Sequence, residues 1–363
     1  MASRHRYHKH SQWMIYVALT VAAATATWLF WPEGKPDNPE QPDDPDIGLV
    51  NDNDQPATRP SKDNVVRDVK TIKTIVTTTR PDAKSKPEAL ALFKAGNDAF
   101  GKQNYLEARG LLSKVLFAGG LAEKLAEEAR EKLTYIASIT LFARTVDPRD
   151  PYTMRYKFRR GDLPATVERQ QKLHVPSQLI VQVNRLTDGS KFLAEADYKL
   201  IKGPFHAIVY KSTYKMDLIL HRREENLPPV FIKRYDVGLG QNNSTPVGMW
   251  RLGCGALIDK RTGKRERGKL LHAAWNPPPN AVQRLRIEYN MPGYPFGKKG
   301  MWISLIGTDE NTKDLIDYGI HSTDDQASIG KQSSMGCVRM RDADIQEVYD
   351  RLYEKWSTVR IVP

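Results

Sequence analysis

The distribution of hydrophobic and polar positions divides the chain into five segments. Residues 13–31 contain no charged side chain, residues 32–87 are polar and proline-rich, and residues 88–145 place apolar side chains at helical spacing. Residues 152–204 include a helical stretch, and residues 205–363 carry alternating, β-branched runs such as FHAIVYK. These patterns predict a multidomain chain with a transmembrane helix, a linker, a small helical segment, a further domain and a mainly-β domain.

Residues 1–31 have the features of a single-pass membrane anchor. Their uncharged run has about the twenty-residue length that a helix needs to cross a bilayer. Basic residues precede this run and acidic residues follow it, which places the N-terminus in the cytoplasm and everything after Pro32 outside. A cleaved signal peptide is the alternative, because Ala-Thr-Ala at 24–26 resembles a cleavage site. We expect an uncleaved anchor, because the apolar run continues to Trp31; either form exports the remainder to the periplasm or the extracellular cell-wall space.

The next two segments differ in their capacity to fold. Residues 32–87 have too few apolar side chains to offset chain entropy, and we expect a disordered linker there. In residues 88–145, Gly101 and the pair Gly119-Gly120 punctuate three short amphipathic helices, of which the first two resemble a tetratricopeptide-like hairpin. One hairpin cannot close its own core, so the third helix or the next domain is expected to cover it. The segment is either a module for an unknown protein partner or a structural spacer.

Composition narrows the classes of function. The chain has 363 residues, of which 40% are hydrophobic and 27% charged, as expected for a globular protein of two or three domains. Its formal net charge of +12 suits a polyanionic partner, either nucleic acid or the surface of a membrane or cell wall. We expect no nucleic-acid partner, because the sequence has no RNP, helix-turn-helix or zinc-finger pattern and no dense basic tract.

The chain has two cysteines, Cys254 and Cys337. They are too few for a disulfide framework or a multi-cysteine zinc site, and we expect neither a metal nor a cofactor. They could form one bridge, or Cys337 could be a buried structural thiol. The third interpretation is a nucleophile, which needs a nearby base because a thiol with a pKa of about 8.5 is mostly protonated at neutral pH. His321, sixteen residues upstream of Cys337, could be that base.

The residues next to Cys337 suit acyl transfer. Gly336 lets the backbone turn sharply and bring N–H groups towards a developing oxyanion, so that Ser334, Gly336 and Cys337 would frame an oxyanion hole. Arg339 projects from the same side as Cys337 if the segment is extended, and it could pair with a substrate carboxylate. Each side chain also has an ordinary structural explanation, a solvated arginine or serine or a core histidine.

Three motifs in order resemble the YkuD family of L,D-transpeptidases. They are STPVGMW at 244–250, YPFGKKGMWISL at 294–305 and GIHSTDDQASIGKQSSMGCVRM at 319–340. The resemblance covers residues 205–363 and implies a mainly-β catalytic domain with Cys337 as nucleophile and His321 as base. Ser322 stands where many members have glycine, and Met335 where many have histidine. The resemblance implies that position 322 orients the imidazole through its backbone carbonyl, which serine can also provide.

Residues 152–204 resemble a LysM domain, a family that binds the glycan of cell walls. The resemblance rests on YKFRRGD at 156–162 and on VPSQLIVQVNRL at 175–186. It implies an α+β fold in which a strand, two helices and a closing strand follow in order. The usual Thr-Leu after the aspartate is Leu163-Pro164 here, and Pro164 suits a first helical turn. Glycan binding and a fold without glycan binding both stay open.

The resemblances imply a peptidoglycan L,D-transpeptidase of cell-wall biogenesis. Cys337 would attack the stem-peptide carbonyl before a terminal D-alanine, and an amine from a second stem or from a lipoprotein would resolve the thioester. Resolution by water would make the chain an L,D-carboxypeptidase instead. A non-catalytic protein that tethers the membrane to the cell wall is the alternative from another functional class.

Overall fold

The computed structural model describes residues 84–259, 263–277 and 285–363, all of which belong to one compact unit, Pro60–Pro363. The predicted anchor, residues 1–31, and nearly all of the predicted linker, residues 32–87, lie outside the described residues. Among the helices that the structure describes, none is long and apolar enough to span a bilayer.

Three helices open the described chain, as the apolar spacing predicts. They are α1 (Pro87–Gly101), α2 (Tyr105–Ala118) and α3 (Glu123–Thr140). Pro87 suits the first turn of α1 because its missing N–H has no partner there in any helix. Gly119, at φ 71°, ends α2 in a conformation that favours glycine. The helices bury a shared core that includes Leu112, Val115 and Leu133.

A small α+β module follows, with the strand–helix–helix–strand order that the LysM resemblance implies. Its elements are β1 (Thr153–Lys157), α4 (Pro164–Gln170), α5 (Ser177–Val183) and β2 (Asp197–Ile201). The two strands are antiparallel, with Tyr156 opposite Tyr198, and Pro164 lies in the first turn of α4. We call residues 153–201 the βααβ module; its relation to LysM domains stays a prediction.

The elements of the C-terminal part are β3 (Phe205–Tyr210), β4 (Lys215–Leu220), β5 (Val230–Asp236), β6 (Leu239–Gly240), β7 (Gly248–Leu252), β8 (Lys269–Leu270), β9 (Trp302–Gly307), β10 (Tyr318–Ser322), β11 (Gln332–Ser334), β12 (Val338–Met340), α6 (Asp342–Arg351) and β13 (Thr358–Val362). Nine of these strands form one sheet in the order β12-β10-β9-β7-β13-β3-β4-β5, with β8 beside β9. A separate parallel pair joins β6 to β11. This is the mainly-β domain that the alternating pattern predicts.

The helical segment packs on strand β5, at one end of the sheet. Phe231 of β5 belongs to the core of the helices, and its backbone N–H donates to Ser113 Oγ at 3.3 Å. Arg234 of β5 donates to Glu127 of α3 at 3.1 Å. The hairpin of α1 and α2 is thus covered by both α3 and the sheet. The helical segment in turn covers β5, the strand at the edge of the sheet. This packing supports the interpretation of the segment as a structural element.

Two buried histidines make this sheet sensitive to acid. His206 and His221 are about 5% exposed, with ring centroids 6.5 Å apart. Burial, with smaller contributions from nearby charges, lowers the pKa of His206 to about 3 and that of His221 to about 4. In the unfolded chain each histidine binds a proton near pH 6.5, whereas in the folded chain it stays neutral to a much lower pH. The fold is therefore most stable above pH 6.5, and this stability is lost as the pH falls towards 4.

We expect the free energy of unfolding to fall by roughly 1.4 kcal/mol per pH unit for each of these histidines between pH 6.5 and 4. Urea titrations at pH 7, 6, 5 and 4 measure this slope. His221→Gln should make the slope shallower by about that amount. His272→Gln, at an exposed position, is the matched control and should leave the slope unchanged. Equal slopes in all three proteins would contradict the prediction.

Candidate active site

Parallel pairing of β10 with β12 brings His321 and Cys337 to one end of the sheet. Ile320 lies opposite Val338, and His321 lies opposite Arg339. Cys337, directly before β12, is therefore next to Gly319, and the Gly319 backbone N–H hydrogen-bonds to its sulfur. Because side chains two residues apart share a face of a strand, His321 lies on the same face as Gly319. The two residues that the sequence selects are thus held by neighbouring strands.

Cys337 lies half-buried against an aromatic cluster that includes Phe296 and Trp302. Burial raises the pKa of its thiol to about 11, although the Gly319 N–H and two nearby arginines, Arg339 and Arg267, act in the opposite direction. Its sulfur is 3.8 Å from the Asp317 carbonyl oxygen, an acceptor for the S–H group. The resting residue is therefore a neutral thiol. Cys254 is also free, so this structure has no bridge between the two cysteines.

His321 is buried and held in one orientation. Its Nδ1 lies 2.7 Å from the Ser322 carbonyl oxygen, and its ring stacks on Trp302 with centroids 5.6 Å apart and planes 10° apart. Burial lowers the pKa of His321 to about 4, so the imidazole is neutral at neutral pH. Since a carbonyl only accepts, Nδ1 carries the proton and Nε2 is left as a proton acceptor. The structure thus has a backbone carbonyl where the sequence analysis expected one.

Ser322 has a second role that the sequence analysis did not predict. Its side chain is fully buried; its hydroxyl donates to the Phe296 carbonyl oxygen and accepts from the Met301 backbone N–H. These bonds fasten the segment that carries Phe296 to strand β10. Phe296 in turn packs on the His321 ring, with centroids 4.6 Å apart. Ser322 therefore orients the His321 imidazole through its carbonyl oxygen and holds Phe296 against that ring through its hydroxyl.

Ser334 and Gly336 shape the turn that leads into Cys337. Ser334 is 2% exposed; its Oγ donates to the Cys337 carbonyl oxygen at 2.6 Å and accepts from the Gly336 N–H at 3.1 Å. Gly336 has φ 133°, and a Cβ there would meet Tyr318 Cε1 at 2.7 Å. The three residues thus form a tight turn in which the Ser334 hydroxyl and the Gly336 N–H are bonded to each other, and their role in an oxyanion hole stays a prediction. In this arrangement they position the turn.

Arg339 lies beside both Cys337 and His321. Its positive charge lowers the pKa of Cys337 and of His321. Its Nη1 donates to Ser333 Oγ at 3.3 Å and lies 3.7 Å from Asp325 Oδ2. Its Nε is buried and has no hydrogen-bond partner in the described part of the chain. A carboxylate that reached this guanidinium would satisfy that donor.

Comparison with known proteins identifies the fold that carries this arrangement. The family model of the YkuD L,D-transpeptidase catalytic domain matches residues 205–361. These residues form a YkuD-type catalytic domain. The candidate L,D-transpeptidase YkuD of Bacillus subtilis is 44% identical over 57 residues, which are 16% of this chain and 29% of YkuD. The match thus spans less than a third of that relative.

Two further proteins are similar to parts of this chain. The candidate L,D-transpeptidase YqjB of Bacillus subtilis is 26% identical over 153 residues, which cover 42% of this chain and 68% of YqjB. Among solved structures, an L,D-transpeptidase from Mycobacterium smegmatis is 8% identical, with a TM-score of 0.29 and coverage of 47% of this chain and 65% of that one.

The YkuD domain places further residues at the site to which the sequence analysis gave no role. Phe296 and Trp302 lie within the motif YPFGKKGMWISL at 294–305, whereas Arg267 lies in a stretch of the sequence without any of the three motifs. The Arg267 guanidinium lies 5.5 Å from the centre of the Trp302 ring and 4.0 Å from Asp317 Oδ1. Met335 is 58% exposed beside the turn. No cluster of three or more potential metal ligands occurs within the described part of the chain.

We expect Gly336→Ala to lower the acylation rate of the YkuD domain by at least about 100-fold. An alanine there would be strained at φ 133° and would clash with Tyr318, so the turn and Cys337 must shift, and small misplacements of reacting groups are costly. Intact-mass kinetics with a thiol-acylating β-lactam measure the rate. Gly330→Ala is the control, because Gly330 also has a positive φ (80°) but a Cβ there has open space. Equal rates for Gly336→Ala and Gly330→Ala would contradict the expectation.

Proposed function

We propose that the chain is a peptidoglycan L,D-transpeptidase in which Cys337 is the nucleophile and His321 its general base. The observation that carries the proposal is the orientation of His321, whose Nδ1 is held 2.7 Å from the Ser322 carbonyl oxygen on the strand that pairs with the Cys337 strand. This leaves Nε2 of a neutral imidazole as the proton acceptor that a protonated thiol requires.

In the first step, Cys337 Sγ attacks the carbonyl carbon between the L-centre of a diamino acid and the terminal D-alanine of a stem. The thiol proton passes to Nε2 of His321, and the resulting imidazolium then protonates the leaving D-alanine amine. The C–N bond breaks and a thioester remains on Cys337. Because the Ser334 hydroxyl and the Gly336 N–H bond to each other, we assign oxyanion stabilisation to the Cys337 backbone N–H.

In the second step, the amine of a second stem attacks the thioester carbon. His321 accepts the proton of that amine and returns it to the sulfur, which restores the thiol and leaves a new amide cross-link. A lipoprotein amine could replace the second stem. Water in the same position would release a shortened stem, which is the L,D-carboxypeptidase reaction.

Arg339 is proposed to hold a carboxylate of the acidic stem peptide. The support is its buried Nε without a partner in the described part of the chain, together with its position beside both Cys337 and His321. A charge-assisted hydrogen bond to a carboxylate would satisfy this donor and orient the scissile carbonyl.

We further propose that residues 1–31 anchor the chain in the membrane and hold the YkuD domain on the outer side, where peptidoglycan lies. The support is the uncharged run at 13–31 with basic residues before it. The βααβ module would then stand between the anchor and the YkuD domain, a place that suits glycan contact.

Incubation of the full-length chain with purified disaccharide-tetrapeptide, followed by mass spectrometry of the products, tests this function. A dimer that lacks one D-alanine is the expected product. Shortened monomer alone would establish the carboxypeptidase and overturn the transpeptidase. No reaction, together with no mass adduct from a carbapenem, would favour the non-catalytic tether.

A further inference from the structure

A second arginine, Arg267, approaches Cys337 from outside the three sequence motifs. Its guanidinium lies 5.5 Å from the centre of the Trp302 ring, and its Nη1 is 4.0 Å from Asp317 Oδ1. The backbone carbonyl oxygen of Asp317 is the one that lies 3.8 Å from the Cys337 sulfur. A cation–π contact and a loose ion pair thus hold Arg267 at the edge of the proposed active site.

The guanidinium of Arg267 can accept a ligand from solvent. Its side chain is 38% exposed, and its ion pair with Asp317 is longer than a hydrogen bond. The guanidinium donates no hydrogen bond to the part of the chain that the structure describes. Because a guanidinium presents several N–H donors in a planar fork that matches a carboxylate, Arg267 has the free donors that a bidentate contact needs.

The strand register places Arg267 and Arg339 on different sides of the thiol. Cys337 is level with Gly319 of β10. Asp317, which holds Arg267, precedes Gly319 by two residues, about 7 Å in an extended chain. Arg339 is level with the residue two positions after Gly319, about 7 Å in the opposite direction. The two arginines therefore flank Cys337, one towards each end of β10.

The two sides of a bound donor stem differ in chemistry. In the proposed mechanism His321 protonates the departing D-alanine amine, so D-alanine lies on the His321 side, where Arg339 can bind its terminal carboxylate. The retained part of the stem, with its diamino acid, then extends on the Asp317 side, towards Arg267. A cation at that place suits an acidic group on the retained part of the stem.

We propose that Arg267 is a specificity-determining residue that binds a free carboxylate at the end of the diamino-acid side chain of the donor stem. The proposal rests on the function proposed above and names its donor class. These donors carry a dicarboxylic diamino acid such as diaminopimelate, and not its side-chain amide or lysine, which lack that carboxylate. The carboxylate is several bonds from the scissile carbonyl, so it can reach Arg267 while the carbonyl lies at Cys337.

The first test compares two tetrapeptide donors in which the side-chain carboxylate of diaminopimelate is either free or amidated. The unaltered full-length chain should release D-alanine from the free acid with a kcat/KM about tenfold higher, because a charge-assisted hydrogen bond is retained. Arg267→Gln should abolish this preference. The ratio is the decisive quantity, because Arg267 also lowers the pKa of Cys337, and a general effect on the thiol would lower both rates equally.

Two substitutions control for charge and for the planar fork. Arg265→Gln removes the same charge two residues away, where Arg265 Nη1 donates to the Gly255 carbonyl oxygen at 2.8 Å. It should keep the full preference for the free acid, and a loss of preference there would show that the ratio reports only net charge. Arg267→Lys keeps the charge but loses the fork, and should give an intermediate preference.

Lys298 is the alternative cation. It is exposed and lines a cavity of about 780 Å³ between the βααβ module and the YkuD domain. Tyr289 lines the same cavity and belongs to the aromatic cluster on which Cys337 packs. Lys298→Gln should keep the preference for the free acid. Loss of the preference in Lys298→Gln but not in Arg267→Gln would overturn the proposal and assign the carboxylate to the cavity.

A third donor, in which the terminal D-alanine carboxylate is amidated, separates the roles of the two arginines. Arg267→Gln should leave the discrimination against this donor unchanged, because Arg339 lies on the side of the leaving group. If Arg267→Gln removed that discrimination and kept the preference for a free side-chain carboxylate, Arg267 would bind the leaving group and the proposal would be wrong. Equal kcat/KM values of the unaltered chain for the free and side-chain-amidated donors would also overturn it.

Binding to an unreactive chain separates this proposal from the proposed function. Calorimetry with full-length Cys337→Ala should give a Kd about tenfold lower for the free acid than for the side-chain amide. Arg267→Gln in the same background should abolish the difference. A chain that forms no product but shows this difference would overturn the transpeptidase and support the role of Arg267. A chain that turns over both donors equally and binds them equally would overturn the role of Arg267 alone.

Discussion

Cys337→Ala should lower acyl transfer by about 10⁴-fold or more and abolish the mass adduct with a carbapenem. Alanine removes the only atom proposed to form the thioester, and loss of a nucleophile removes the covalent pathway altogether. The fold should persist, because Cys337 is half-buried and alanine is smaller than cysteine. Muropeptide analysis and intact mass, measured on the same preparation, follow both losses.

Cys254→Ala provides a control with the same chemical change elsewhere in the fold. Cys254 is a free, half-buried cysteine whose backbone N–H donates to Glu266 Oε2 at 3.1 Å, a bond that alanine retains. We expect full activity and a single adduct on Cys337. An adduct that persists in Cys337→Ala but disappears in Cys254→Ala would show that Cys337 is not the nucleophile.

The second large effect is expected for His321→Gln, both in rate and in pH dependence. The proposed mechanism needs a neutral imidazole, and because burial lowers the pKa of His321 to about 4, activity should be lost only as the pH falls through about 4. Without the base, only thiolate reacts, and a thiol with a pKa of about 11 is almost fully protonated at pH 7. The loss at pH 7 should be about 10²–10⁴-fold.

The pH profile of His321→Gln distinguishes a base from a residue that only supports the fold. Its acylation rate should rise about tenfold per pH unit from pH 7 towards the thiol pKa, whereas the unaltered chain should show a plateau. Ser322→Gly is the control: it loses the hydroxyl contacts that hold Phe296 and should lower the rate, but it retains the carbonyl at Nδ1 and should keep the plateau. A plateau in His321→Gln would show that another group accepts the proton.

Much of the site can be predicted from the sequence because its chemistry is confined to short motifs. Parallel strands need a crossover of a dozen or more residues, and the fifteen residues between Ser322, the end of β10, and Val338, the start of β12, provide it. The alternating pattern likewise predicts the mainly-β domain, and glycines predict the ends of the helices. Where short-range periodicity and reactive residue types carry the signal, the prediction and the structure agree.

Other features depend on partners that are distant in the sequence. The pattern showed that the helices need a cover, but only the structure identifies Phe231, more than 100 residues after Ser113, as part of it. The sequence predicts that Ser334, Gly336 and Cys337 frame an oxyanion hole, and only the structure shows that the Ser334 hydroxyl and the Gly336 N–H bond to each other. Arg267, Phe296 and Trp302 lie near Cys337 but belong to other strands and loops.

The sequence by itself determined which residue types could perform acyl transfer, the order in which they occur, and the β-rich character of the segment that holds them. Only the tertiary structure decided that burial raises the pKa of Cys337 and lowers that of His321, that the proton of the neutral His321 ring lies on Nδ1, and that a cavity lies at the junction with the βααβ module. The physical reason is that periodicity and motif chemistry act over a few residues, whereas burial, pKa and cavity shape depend on which distant segments pack together.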